Sequence, residues 1–398
     1  MFSRRIKNTL LSFAKFPVVG IFGPRQSGKT TLAREVFTQH TYLNFEDPQI
    51  RIFAEENPRA FLQEFENPHG LILDEFQYVP QMLSYIQLIS DEKNRPGYFV
   101  LTGSQNFLMN QAVTQSLAGR IGILTLLPFS LAELSDNALL GETSYETIFK
   151  GSYPRIYSQE IAPSELYPSY IQSYIERDVR LLVNIENIAT FQRFMSLCAA
   201  LSGQELNVSS LATSCGISQK TVVSWLSILQ ASYIVFLLQP YYKNFNKRVI
   251  KSPKLYFYDT GVVCSLLNIR SSQELALSSF RGPLFESLII ADLYKQYCNR
   301  GLKSPLYYWR DMNGRLEVDC IIDTGTSCIP IEIKSSETIT KAHYASILKF
   351  DEIAEIDPAG NYLIYNGIYN QKAGNGTAVS WQSAGSLIEQ IEETFLKK

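Results

Sequence analysis

Apolar positions in the first third of the chain come in short runs, at residues 18–22, 42–45, 70–73, 98–102 and 121–126. Stretches with helical spacing separate them, the pattern of a parallel sheet whose crossovers are helices. A Pro-Phe-Ser turn at 128–130 closes this region, and a more polar connection follows through 136–146. From about residue 164 to 232 the period is helical. An aromatic, β-rich stretch comes next, with strands expected at 233–238 and 255–258. After a loop near 271–279, a helix at 285–297 leads into strands at 306–310, 316–322 and 328–333. Three units follow: residues 1–140, 141–260 and 261–398.

Composition narrows the class. The 398 residues are 45% hydrophobic and 19% charged, with a formal net charge of −2, which describes a globular chain with no global bias toward nucleic acid. Any such contact must come from a local patch. The cysteines 198, 215, 264, 298, 320 and 328 include no Cys-x-x-Cys pair, so a reduced, cytoplasmic protein is expected. The basic N-terminus runs through Lys15 into a strand and lacks the clean apolar segment of a signal peptide. No apolar run of about eighteen residues exists to span a membrane.

The first chemistry-bearing motif is Gly23-Pro24-Arg25-Gln26-Ser27-Gly28-Lys29-Thr30, which fits G-x-x-x-x-G-K-[ST] at every fixed position. It follows the apolar strand 18–22 and precedes a helical segment beginning at Thr31. Glycines let backbone N–H groups curl round phosphates. Lys29 is placed to neutralise the β- and γ-phosphates of ATP, and Thr30 to offer a hydroxyl ligand to Mg²⁺. Residues 71–75, Leu-Ile-Leu-Asp-Glu, form an apolar strand ending in two acids. There Asp74 is expected to hold Mg²⁺ through water, and Glu75 to act as general base on the attacking water. The strand at 98–102 ends in Thr102-Gly103-Ser104-Gln105, where Ser104 reads either as a γ-phosphate sensor or as turn chemistry. Arg120, in Leu-Ala-Gly-Arg, is either an arginine supplied in trans within a homo-oligomer or a surface ion pair. Arg25, within the loop, is a further candidate for the transition-state arginine.

With a polar strand end between the two phosphate motifs and a glutamate after the acidic aspartate, this part resembles AAA-type ATPases. The wording of 23–32, 73–77, 101–105 and 117–120 resembles one prokaryotic family that joins an AAA-type domain to a poorly characterised C-terminal domain. The resemblance spans nearly the whole chain.

Residues 206–222 read as a helix-turn-helix of a winged-helix domain. Ser209 or Ser210 is expected to cap the first helix, Gly216 to make the turn and Ser218 to cap the second. The second helix carries an apolar stripe of Val222, Leu226 and Leu229. It presents Gln219, Lys220, Thr221 and Ser224, residue types able to contact DNA or RNA. Between the expected hairpin strands, residues 241–248 with Lys251 and Lys254 interleave basic and aromatic side chains. The alternative is a structural or protein-docking module.

In the last unit, Asp319 lies on one expected strand, and Glu332 and Lys334 on the next, across a Thr-Gly-Thr turn. Glu332 and Lys334 share a face because side chains alternate along a strand. Glu317 is read as pointing away from Asp319, as a solvated or structural carboxylate. The arrangement resembles PD-(D/E)xK nucleases and implies an α/β restriction-endonuclease-like fold. Asp319, Glu332 and Glu286 would then be metal ligands, with Lys334 beside them; Val318 departs from the family's proline. Two readings result. One is an ATPase that gates metal-dependent nucleic-acid cleavage. The other is a nucleotide-dependent switch or scaffold whose last domain binds a partner without cutting it.

Overall fold

The computed structural model describes residues 2–104, 116–174, 188–241, 252–311, 314–354 and 360–395. Gln105 and residues 242–251, part of the expected basic stretch, lie outside the described residues. The chain divides into two compact units. The first comprises Met1–Pro128 with Ala231–Tyr233 and Cys298–Leu302; the second comprises Phe129–Gln230, Ile234–Tyr297 and Lys303–Lys398.

In the first unit, strands β1 (Val18–Phe22), β2 (Thr41–Asn44), β3 (Leu71–Asp74), β4 (Phe99–Gly103) and β5 (Ile121–Thr125) pair in parallel, in the order β2-β3-β4-β1-β5. Strands β1, β3 and β4 are buried at every position, as unbroken apolar runs at the centre of a doubly covered sheet must be. The outer strands β2 and β5 show mixed burial. Helices Ile6–Phe13 and Lys29–Val36 contribute Ile6, Leu10, Leu32 and Ala33 to a core with Val19, Ile21, Ile72, Val100 and Leu124. Truncating the fully buried Leu10 to alanine would cost about 2–5 kcal/mol. The strand order sets β4 between β1 and β3, so the loops after these three strands meet at the carboxyl edge of the sheet. That edge is where open α/β sheets take their ligands.

The second unit is built on a nine-stranded sheet. Its strands are β6 (Gln204–Glu205), β7 (Val235–Pro240), β8 (Lys254–Phe257), β9 (Leu306–Arg310), β10 (Glu317–Asp323), β11 (Cys328–Lys334), β12 (Tyr362–Tyr365), β13 (Gln371–Ala373) and β14 (Gly376–Ser380). The order is β13-β14-β12-β11-β10-β9-β7-β8-β6. Helices Ile188–Ala200, Val208–Cys215 and Gln219–Ala231 precede the antiparallel hairpin β7–β8, to which β6 adds. Asn207, not Ser209 or Ser210, caps Val208–Cys215 by accepting from the Ser210 N–H; it sits one residue before the helix, where a side-chain oxygen can reach that donor. Gly216 takes the left-handed turn, and Ser218 accepts from the Thr221 N–H. Val222, Leu226 and Leu229 are buried, while Gln219, Lys220 and Ser224 are exposed. Strand β7 also pairs in parallel with β9 at Gln239 and Pro240. One sheet therefore runs across the boundary expected at 260/261.

The cysteines are free and buried. Among the described residues no helix is long and apolar enough to cross a membrane.

Candidate functional site

The loop after β1 is shaped by contacts that exclude side chains. A Cβ on Gly23 would lie 2.1 Å from the Leu126 carbonyl oxygen, and Gly28 has φ +94°, so both positions call for glycine. Lys29 opens helix Lys29–Val36 and is 5% exposed; its Nζ donates to the carbonyls of Gly23 (3.0 Å) and Pro24 (2.8 Å). An ammonium parked on loop carbonyls is one that stronger acceptors can claim. The Ser27 hydroxyl and the Gln26 side-chain carbonyl are buried without a partner, an arrangement that a polar ligand would complete. Arg25 sits with Nη1 3.8 Å from Glu46, and Thr31 faces solvent.

Asp74, at the end of β3 and 3% exposed, is where the strands converge. Its carboxylate accepts from the Thr30 hydroxyl at 3.0 and 2.9 Å, from the Tyr42 hydroxyl at 2.7 Å and from the Thr102 hydroxyl. Burial, reinforced by the Asp74 carboxylate, holds the Tyr42 phenol well above its usual pKa, so it stays a donor. Glu75 follows in the left-handed region at φ +53°. Gln77 donates its amide to the Glu75 carboxylate and, at 3.3 Å, to Ser104; Ser104 donates to Glu75 at 3.4 Å. The sequence thus brought Thr30, Asp74, Glu75 and Ser104 to one locus, and the structure adds Tyr42, Gln77 and Thr102. Their signal was positional only: Tyr42 lies two residues before the end of the strand adjoining β3.

Arg4 is a second addition. Only 8% exposed, it donates from Nη1 to the Ser27 carbonyl and from Nη2 to the Leu127 carbonyl, both at 2.7 Å. It ties the loop to the chain beyond β5. Arg120 is held on the surface by Asp91 of its own chain through Nε and, at 2.9 Å, through Nη2, as the ion-pair alternative anticipated.

The acids of the last segment form a separate cluster in the second unit. Asp319 on β10 stands across from Glu332 on β11, given the register Cys320 to Ile331, and accepts from the Ile333 N–H at 2.8 Å. Lys334 Nζ lies 2.5 Å from Glu332 and 3.6 Å from Asp319. Glu286, on helix Arg281–Asn299, accepts at one oxygen from Lys254 (3.0 Å) and from the Tyr256 hydroxyl (2.5 Å). Lys254 also reaches Glu317 at 2.5 Å. Glu317 therefore turns toward the cluster rather than away, because residues two apart on a strand share a face. Nor is Lys254 the exposed basic residue expected in the hairpin: it is 3% exposed.

Burial raises Glu286 to about 7 against the pull of Lys254, and raises Glu332 well above its ordinary value, with Asp319 adding to it. Burial works against the Lys254 ammonium, yet Glu286, Asp319 and Glu317 together raise its pKa above the ordinary value. Among the described residues no group of three or more His, Cys, Asp or Glu side chains is arranged to hold a metal ion. The expected ligand set of Glu286, Asp319 and Glu332 is not assembled as one, and a lysine holds one oxygen of each acid.

Comparison with known proteins bears on each segment. Residues 15–135 match the model of an AAA domain, residues 141–273 a domain of unknown function (DUF8612), and residues 281–384 another (DUF4143). An uncharacterized protein of Mycobacterium tuberculosis is 28% identical over 81% of this chain and 71% of its own length, and a Mycobacterium bovis protein matches with the same figures. Among solved structures, a Walker-type ATPase of Pyrococcus abyssi is 15% identical, with TM-score 0.44, over 67% of this chain and 96% of that one. Thermotoga maritima RuvB is 16% identical, with TM-score 0.29, over 58% and 86%. The chain carries an AAA-type P-loop ATPase domain followed by segments of unknown function.

Proposed function

We propose that the chain binds ATP with Mg²⁺ at the loop 23–30 and hydrolyses it, and that nucleotide state controls what the second unit does to a partner. The observation that carries this reading is the meeting of Thr30 and Asp74 at 2.9–3.0 Å beside a loop with orphaned polar groups. A hydroxyl and a carboxylate are hard oxygen donors suited to Mg²⁺, and the pair fits the ion. Bound there, the ion would neutralise charge on the β- and γ-phosphates. Lys29 exchanges its loop carbonyls for phosphate oxygens, while the backbone N–H groups at the start of helix Lys29–Val36 face the phosphates. Glu75 takes the proton of the attacking water, with Gln77 and Ser104 fixing its carboxylate. Ser104, at the end of β4, is positioned to feel the γ-phosphate.

Two substitutions test this. Lys29→Ala should abolish binding of a fluorescent ATP analogue. Glu75→Gln should keep binding and lose hydrolysis, trapping ATP on the protein. Turnover at the wild-type rate in Glu75→Gln would overturn the assignment.

For the second unit we favour a winged-helix module that contacts nucleic acid and does not cut it. The helix-turn-helix with exposed Gln219, Lys220 and Ser224, with β6 before it and the hairpin β7–β8 after it, supports the contact. The pairing of the acids with lysines supports the absence of cleavage. Lys220→Glu should weaken duplex DNA binding in a salt-dependent titration, and unchanged affinity would remove DNA as the partner.

A further inference from the structure

The cluster around Glu286 contains cations of its own, and each of its four carboxylates spends at least one oxygen on them. Glu286 spends one oxygen on Lys254 and Tyr256. Glu317 is bridged by Lys254 at 2.5 Å and Arg310 at 3.6 Å. Asp319 is engaged by the Ile333 N–H and Lys334, and Glu332 by Lys334. One oxygen each of Glu286, Asp319 and Glu332 takes no part in these contacts, and that of Glu332 is buried without a partner.

Lys254 stands out among these cations. A lysine is almost never fully buried unless paired, yet this one is 3% exposed in a strand whose every position is buried. Strand alternation puts Lys254 and Tyr256 on one face of β8, so a single strand delivers an ammonium and a hydroxyl to the same carboxylate. The carboxylates of Glu286, Glu317, Asp319 and Glu332 face the cations Lys254, Arg310 and Lys334, with Arg310 shared with Glu205. A divalent ion entering this set would meet the ammonium groups of Lys254 and Lys334 already placed against its carboxylates.

We infer that Lys254 is the resident cation of the acid cluster, taking from within the chain the neutralising role that the nuclease resemblance assigns to a divalent metal. The ammonium locks β8 to helix Arg281–Asn299 and to β10, and the cluster binds no ion while Lys254 is in place. This holds independently of the ATP site, since neither Lys29 nor Glu75 takes part.

The test is Mn²⁺ binding to the full chain without nucleotide, read by loss of the free-ion signal in electron paramagnetic resonance. Wild type should show no Mn²⁺ site that Asp319→Asn removes. Lys254→Met should gain one such site, at least tenfold tighter than any binding by wild type, and Lys254→Arg should behave as wild type. Near-UV circular dichroism checks that each variant folds; if Lys254→Met does not, Lys254→Gln carries the same arm. An Asp319-dependent Mn²⁺ site in wild type would overturn the inference, as would a folded, neutral Lys254 variant that gains none.

Discussion

Replacing Glu286 with glutamine should change the pH dependence of stability of the second unit in a definite direction. Glutamine keeps the size of the side chain and an acceptor for Lys254 and the Tyr256 hydroxyl, while removing the titration. In the folded chain Glu286 titrates near 7, against an ordinary value of 4.5, because burial penalises its charged form more than Lys254 favours it. The folded state therefore binds a proton that the unfolded state releases between these values. For a raised acid, the stabilisation is full below 4.5 and is lost as pH rises through 7. Each pKa unit corresponds to 1.36 kcal/mol, so wild type should lose about 3 kcal/mol relative to Glu286→Gln across that window.

All three tryptophans, Trp225, Trp309 and Trp381, lie in the second unit, so intrinsic fluorescence follows its urea unfolding alone. Exposed ion pairs such as Asp91 with Arg120 and Glu66 with Lys93, whose acids are shifted downward, drop out of the difference between the two proteins. A flat difference curve, or one rising with pH, would refute the account of Glu286.

Further outcomes follow from the first unit. Tyr42→Phe removes a hydrogen bond to a charged group, worth about 1.5–3 kcal/mol, while Thr30 and Thr102 still hold Asp74. The Mg²⁺ concentration for half-maximal ATPase should rise several-fold, and an unchanged midpoint would deny Tyr42 a positioning role. Arg4→Met strips the donors from two carbonyls behind the loop, each costing about 1–3 kcal/mol. ATP affinity should fall at least tenfold in a fluorescence titration, and wild-type affinity would show that the loop holds its shape without Arg4. Because Asp91 already engages Arg120, Arg120→Ala should leave turnover unchanged. A large loss, restored by mixing with Lys29→Ala subunits that retain Arg120, would instead establish action in trans.

The P-loop sheet was readable because its strands are central and its motifs sit at their ends. Residues 18–22 and 71–73 are apolar at every position, and such runs have one use in a globular chain. Thr30, Asp74, Glu75 and Ser104 could be placed together because each lies at or just past a strand or helix terminus, where one topology fixes the neighbours. Tyr42 and Arg4 had no such marker. Tyr42 is one aromatic among many, and its contact with Asp74 depends on β2 lying beside β3, a register the sequence does not state. Strands β12 to β14 had no reading because they are short and sit among Asn, Gly and Gln residues that look like loop.

The acid cluster shows a different limit. The order of Glu286, Asp319, Glu332 and Lys334 was legible and suggested a metal site, but the residues that occupy the site come from elsewhere. Lys254 lies 32 positions before Glu286 in sequence, within a stretch whose basic, aromatic composition pointed toward nucleic acid. Only the pairing of β7 with β9 brings the hairpin into the same sheet as β10 and β11, and with it a lysine beside Glu286 and Glu317. That pairing links two activities read separately from sequence. The hairpin following the helix-turn-helix supplies Lys254 to the acids, so on the proposed reading a nucleic acid held by the helices is seated on the segment that leads into the cluster. A partner able to draw Lys254 out of the cluster would leave Glu286 without its buried counter-ion and Glu317 with Arg310 alone, at a cost of about 3–5 kcal/mol. On the proposed reading, the second unit keeps its lysine-held form when a partner binds, and grips that partner rather than cutting it.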